Sequence, residues 1–143
     1  MDKSMNILVI DGQGGRLGAQ LITLIREALP DACVIAVGTN AVAAAAMKKA
    51  GANESASGEN PTLVATRRAD LIVGPIGIVI ADSMLGEVTP KMACAVGQAN
   101  ATRILLPVNR CENIVAGIPD PSVTTLLNDA LQRIRAFAAQ RGI

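Results

Sequence analysis

The chain has 143 residues, 50% apolar and 17% charged, with 13 basic against 12 acidic side chains and a net charge of +1. That is one globular domain able to bury one core, without the excess of charge that keeps a chain disordered or the basic footprint of a nucleic-acid binder. A single Phe, with no Trp, Tyr or His, leaves almost nothing to stack on a base. It also excludes His-based nucleophile pairs, His-ligated zinc, a His general base and a Tyr–Lys proton relay.

Met1, Asp2, Lys3 and Ser4 are polar and run straight into apolar sequence, unlike a signal peptide. The longest apolar run, residues 71–81, is broken by Gly-Pro and too short to span a bilayer. Cys33, Cys94 and Cys111 lack metal-ligand spacing, and two of them lie in apolar periodic segments. Reduced thiols in a cytoplasmic protein are expected.

In chain order, residues 7–10 (ILVI) are apolar and mostly β-branched, which suits a strand buried on both faces of a parallel sheet. Leu17, Leu21, Leu24, Ile25 and Ala28 follow at helical spacing, and Pro30 closes that helix. Residues 34–37 read as a second buried strand and 41–50 as an Ala-rich helix ended by Gly51. A short edge strand is expected at 52–56. Asn60-Pro61 then supplies an N-cap and a first helical proline for a helix reaching Arg68, with Arg67 and Arg68 in its last turn. Residues 71–73 form a fourth strand, stopped by Gly74-Pro75. Residues 76–85 fit either helix or strand, and a helix ended by Gly86 is preferred. Thr89-Pro90 caps and opens another helix, running to about residue 99. A fifth strand at 104–108 leads into an irregular loop at 109–120 with a small hairpin arm around 114–118. The longest helix ends the chain, with Val123, Leu126, Leu127, Ala130, Leu131, Ile134 and Phe137 on one stripe.

Five alternations of strand and helix imply right-handed crossovers and a parallel sheet covered on both faces. The expected fold is an α/β three-layer Rossmann-like sandwich, a single domain over 1–143, with strand order 3-2-1-4-5. In such sheets the ligand crevice opens at the carboxyl ends of strands 1 and 4, where the winding reverses. Residues 11–18 stand at one lip of that crevice; Gly74, Pro75, Ile76 and Gly77 stand at the other.

The first lip reads Asp11, Gly12, Gln13, Gly14, Gly15, Arg16, Leu17, Gly18. Gly12, Gly15 and Gly18 give G-x-x-G-x-x-G after a strand and into a helix, the setting of a nucleotide fingerprint. Glycines let the backbone approach a phosphate, and free N–H groups with the helix dipole supply a positive field to which Arg16 adds. Against a full dinucleotide, strand 2 ends in Gly38, Thr39 and Asn40, where a ribose-binding acid belongs, and no Arg stands nearby for a 2′-phosphate. Asp11 also opposes a phosphate, since two like charges about 5 Å apart repel by roughly 3 kcal/mol at an effective dielectric near 20. Three readings fit: a phosphate or nucleotide site, a neutral or cationic ligand held by Asp11, or an Asx-type turn in which Asp11 bonds its own backbone. A Gly15→Asp substitution is expected to block ligand without unfolding the chain.

The strings IDGQGG, VGTNAVA, GANESASGEN, GPIGIVIADSMLGEVTPKMA and ILLPVNRCENIVAG together resemble a family of short bacterial proteins catalogued as a domain of unknown function. The resemblance runs from residue 6 to about 127, and it departs at Arg16, where a further glycine belongs. It implies a Rossmann-like fold and a site where these strings meet, and it carries no reaction or substrate.

Other candidates surround the crevice. Asp82, Ser83 and Glu87 suit hydrogen bonds to ligand hydroxyls, or serve as solvated or capping groups. Thr39 and Asn40 fit a ribose contact, or an ordinary turn with Asn40 as a helix cap. Glu59 and Asn60 are explained by capping or by substrate contact. Cys111, between Arg110 and Glu112, shows no sign of activation. Lys91 sits in a first helical turn, against the dipole. The Ala-rich helices and broad terminal stripe predict a homodimer or larger homo-oligomer through the last helix. The sequence thus predicts a protein that binds a nucleotide, NAD(P) among the candidates, or a phosphorylated small molecule at the glycine-rich loop, acting as a sensor or regulatory module. The alternative is an NAD(P)- or flavin-dependent oxidoreductase working as a homo-oligomer. Neither nucleic acid nor membrane is an expected partner, and no metal is.

Overall fold

The computed structural model describes residues 4–108 and 112–143. Five parallel strands, β1 (Asn6–Asp11), β2 (Cys33–Gly38), β3 (Glu54–Ser57), β4 (Leu71–Pro75) and β5 (Thr102–Leu106), stand in the order β3-β2-β1-β4-β5. Helices α1 (Arg16–Ala28), α2 (Ala41–Lys49), α3 (Glu59–Thr66), α4 (Pro90–Gln98) and α5 (Val123–Gln140) alternate with them. The fold class and strand order are those the sequence predicts.

The period-2 alternation of strand side chains divides the core. From β1, Ile7 and Val9 join Val34, Ala36, Leu71 and Val73 under α1, α2 and α5, through Leu21, Ile22, Ile25, Met47, Leu127 and Ile134. Leu8 and Ile10 face the other way with Val37 and Ile72, under Ala65 of α3 and Val96 of α4. The chain crosses from one layer to the other between β3 and β4, so the winding reverses where β1 pairs with β4. The crevice therefore opens above Asp11 and Pro75, as the parallel topology requires.

Where the elements differ from expectation, the causes are local. β5 takes in polar Thr102 and Arg103 and stops at Leu106, because an edge strand needs no continuous apolar run. The Arg103 guanidinium turns back to the carbonyls of Val96, Ala99 and Ala101 at the end of α4. β3 is likewise an edge, mostly exposed. The N-cap of α3 is Gly58, with Pro61 within the first turn, where N–H groups have no intrahelical partner anyway. Asn60 is therefore helical and not the cap, and Arg67 and Arg68 lie at and beyond the C-cap.

The helix expected at 76–85 is absent. A short 3-10 turn, Ile76–Val79, gives way to a loop in which Asp82, Met84, Leu85 and Gly86 all have positive φ. A run of left-handed residues cannot continue a right-handed helix. The loop is closed by Asp82 N–H to Val88 O at 2.7 Å, and the buried Ser83 hydroxyl donates to Gly77 O at 2.5 Å. No strand forms among residues 112–120, so the expected hairpin arm is not there; Asn109, Arg110 and Cys111 lie outside the described residues. Among the described residues, no helix is long and apolar enough to cross a membrane. Cys33 and Cys94 are free thiols, and Cys94 is exposed.

Candidate functional site

The N-terminus of α1 has no side-chain cap of its own, since its N-cap is Gly15. Asp11, at the end of β1, takes over that task. Its carboxylate accepts from Gly12 N–H at 2.8 Å and, seven residues on, from Gly18 N–H in the first turn of α1 at 2.7 Å. Asp11 is buried, and burial pushes its carboxyl above the ordinary value of 3.8, against the pull of the Gly18 and Gly12 N–H groups. The carboxylate that seemed to oppose a phosphate is thus turned inward, fastening strand to helix.

The three central glycines differ in what surrounds them. A side chain at Gly12 would meet Met84, Thr39 and Glu87. Gly15 has φ +73°, and a Cβ there would lie 2.7 Å from Ala43 Cα. The Gly15→Asp substitution suggested by the sequence would therefore strain the fold as well as block the site. Gly14 is exposed, with no atom within 4 Å of a Cβ built on it.

Beside this turn lies a cavity of about 280 Å³, lined by residues 11–17 with Gln20, Pro75, Met84, Val108 and Val123. The N–H groups of Gly14, Arg16 and Leu17 have no hydrogen-bond partner among the described residues. They are the donors that Asp11 leaves unused at the positive end of α1.

On the other side of Gly12, the loop after β4 brings Glu87 across to the end of β2. Glu87 Oε1 accepts from the Thr39 hydroxyl, from Asn40 Nδ2 at 2.9 Å and from Gln13 N–H at 3.3 Å. The Thr39 and Asn40 donors hold its carboxyl below the usual glutamate value; partial burial opposes them and the Gln13 N–H assists. Glu87 Oε2 accepts no hydrogen bond from any described residue. Asn40 is fully used: its Oδ1 also caps α2 through Ala43 N–H at 2.8 Å, and its Nδ2 donates to Gln13 O at 2.8 Å.

The predicted candidates therefore divide. Asp11, Gly12, Gln13, Gly14, Gly15, Arg16 and Pro75 line the cavity, with Thr39, Asn40 and Glu87 gathered around Gly12. Gly18 is buried under Met47, and Gly74 packs against Ile10 O in the sheet. Ile76, Asp82, Ser83 and Asn60 do not reach the cavity wall: Asp82 and Asn60 are exposed, and Ser83 faces Gly77. Leu17, within the predicted lip, is also a cavity wall, and so are Met84, Gln20, Val108 and Val123, which carry no site signal in the sequence reading. For Leu17 the helical spacing was a signal; for Met84 only its left-handed backbone places it. No group of three or more His, Cys, Asp or Glu among the described residues could hold a metal ion.

A parallel sheet of order 3-2-1-4-5 with a glycine turn at its switch point defines a Rossmann-like α/β protein. The chain belongs to the family described as "Domain of unknown function (DUF3842)", whose model matches residues 6–139. No curated protein matches the sequence. Among solved structures the chain is similar to a dodecameric FMN-dependent Ubix-like decarboxylase from Escherichia coli O157:H7. That similarity has 16% identity and a TM-score of 0.49, covering 96% of this chain and 95% of the other.

Proposed function

We propose that this protein binds a phosphorylated small molecule or a mononucleotide at the glycine turn, as a sensor or regulatory module. The observation that carries this reading is the set of unused N–H groups of Gly14, Arg16 and Leu17 beside an open cavity, with Arg16 as the local cation. Asp11 does not count against it, because its charge is engaged by Gly12 and Gly18. About 280 Å³ is at the lower edge of the roughly 300–1,000 Å³ usual for small-molecule sites, which favours one phosphorylated unit over a dinucleotide. With no His or Tyr in the chain, recognition fits the side chains present better than stand-alone acid–base chemistry.

The test is a thermal-shift panel of inorganic phosphate, ribose 5-phosphate, mononucleotides, NAD(H), NADP(H) and flavins. A ligand at about 100 times its Kd stabilises by about 2.7 kcal/mol. Gly14→Asp puts a carboxylate at the turn in open space, so it is expected to abolish the shift while leaving the unliganded midpoint unchanged. Full retention of binding by Gly14→Asp, or silence across the panel, refutes the proposal. A shift from nicotinamide or flavin cofactors alone would replace it with the oxidoreductase alternative. We also propose a homodimer through α5 and the free edge of β5. A second cavity of about 440 Å³ runs between them, past Ile104, Leu106, Leu126 and Phe137.

A further inference from the structure

In Rossmann-type sites the carboxylate that holds a ribose hydroxyl closes strand 2, and here that position carries Gly38, Thr39 and Asn40 instead. A carboxylate is nevertheless present at that place. Glu87 arrives from the loop after β4 and is clamped by the two residues that follow β2, together with Gln13 N–H. All three donors converge on Oε1, which fixes the orientation of the group. Oε2 is left without a partner among the described residues, on a half-buried side chain beside Gly12, which lines the cavity although Glu87 itself does not.

The carboxylate is anchored through one oxygen and forms no ion pair, since none of its three donors is a cation, so its second oxygen is able to accept from a hydroxyl. Its acidity is raised by the same donors, so the free oxygen stays ionised and accepts strongly near neutral pH. A Cβ at Gly12 would meet Met84, Thr39 and Glu87 Oε1, so the Glu87 carboxylate packs directly on the backbone of the glycine turn.

We infer that Glu87 supplies, from the β4 loop, the ribose-hydroxyl acceptor that strand 2 lacks, so that the ligand class is a ribose phosphate, free or as a mononucleotide. The inference rests on the phosphate reading above and narrows it. Thr39 and Asn40 are positioning residues that aim Glu87 and do not themselves touch the sugar.

The experiment is calorimetric titration of the full chain with five probes: inorganic phosphate, ribose 5-phosphate, 2-deoxyribose 5-phosphate, AMP and dAMP. The wild-type protein is expected to bind the ribose form of each pair about ten-fold or more tightly than the deoxy form, the effect of one hydrogen bond to a charged acceptor. Preference for the AMP pair over the sugar phosphates assigns the ribose to a nucleotide; equal affinity assigns it to the sugar phosphate itself. Glu87→Gln keeps an acceptor for Thr39, Asn40 and Gln13. It is expected to collapse the ribose preference to about two-fold or less, with phosphate affinity unchanged.

Equal binding of ribose and deoxyribose forms by the wild type overturns the inference without relying on any variant. So does an intact preference in Glu87→Gln, or a rise in its nucleotide affinity, which would make Glu87 a plug. Each of these failures leaves phosphate binding in place. Failure of the phosphate reading is different, since then none of the five probes binds.

Discussion

Replacing Gly15 by Ala tests whether the glycine turn is held by geometry or merely tolerates glycine. Gly15 has φ +73°, and an L-residue in the left-handed region costs about 1–2 kcal/mol. The added Cβ would lie 2.7 Å from Ala43 Cα and 2.8 Å from Ala43 O. Both are backbone atoms of α2, which cannot rotate away as a side chain can. Overpacking of this kind costs about 1–3 kcal/mol, giving a total loss of roughly 2–5 kcal/mol from a fold whose stability is typically about 5–15 kcal/mol. Gly14→Ala is the internal control, because nothing lies within 4 Å of its Cβ; it should be neutral or add up to about 1 kcal/mol through the unfolded chain. Urea unfolding followed by far-UV circular dichroism is the assay, since the chain has no Trp or Tyr to report by fluorescence. With a slope near 2 kcal/mol per molar, the Gly15→Ala midpoint falls by about 1–2.5 M. A Gly15→Ala protein within 1 kcal/mol of wild type, or a Gly14→Ala protein losing as much, refutes the reasoning.

Further outcomes are expected for Asp11 and for the homodimer. Asp11→Asn keeps the acceptor for Gly12 but turns an NH2 toward Gly18 N–H, leaving a buried donor unmet at a cost of about 1–3 kcal/mol. Because the folded Asp11 carboxyl titrates above its ordinary 3.8, its contribution to stability is greatest below that value and falls as pH rises through the folded pKa. The wild-type advantage over the non-titrating variant should therefore shrink with rising pH in paired urea titrations; a growing advantage would contradict the burial argument. For the homodimer, sedimentation at micromolar concentration should give twice 14.7 kDa, and Phe137→Glu should return the monomer; a monomeric wild type removes the α5 interface.

The sequence made the sheet order legible because its central strands are unmistakable. β1 and β4 are apolar on both faces, and only a buried parallel strand tolerates that. The edges were blurred because half their residues meet solvent, as Thr102 and Arg103 do. The loop after β4 was misread because an apolar run such as residues 76–81 suits several conformations, and no residue type announces that Asp82, Met84 and Leu85 are left-handed. At the site, Thr39, Asn40 and Glu87 were each visible as candidates, but their meeting was not. Glu87 lies 48 residues from Thr39 and 74 from Gln13, and only the crossover topology brings them together. Asp11 was legible as an anomaly, with the inward Asx-type reading among its alternatives; the bond to Gly18 settled which way it points.

The inward fastening of Asp11 also determines what binding can report. With Gly12 and Gly18 tethered to the strand, the turn holds its shape before any ligand arrives. Association then orders little backbone, and the entropy cost that accompanies loop closure in many phosphate sites is largely absent. For the ligand proposed above, this preorganisation would appear as a tighter Kd, which a melting curve reads through mass action.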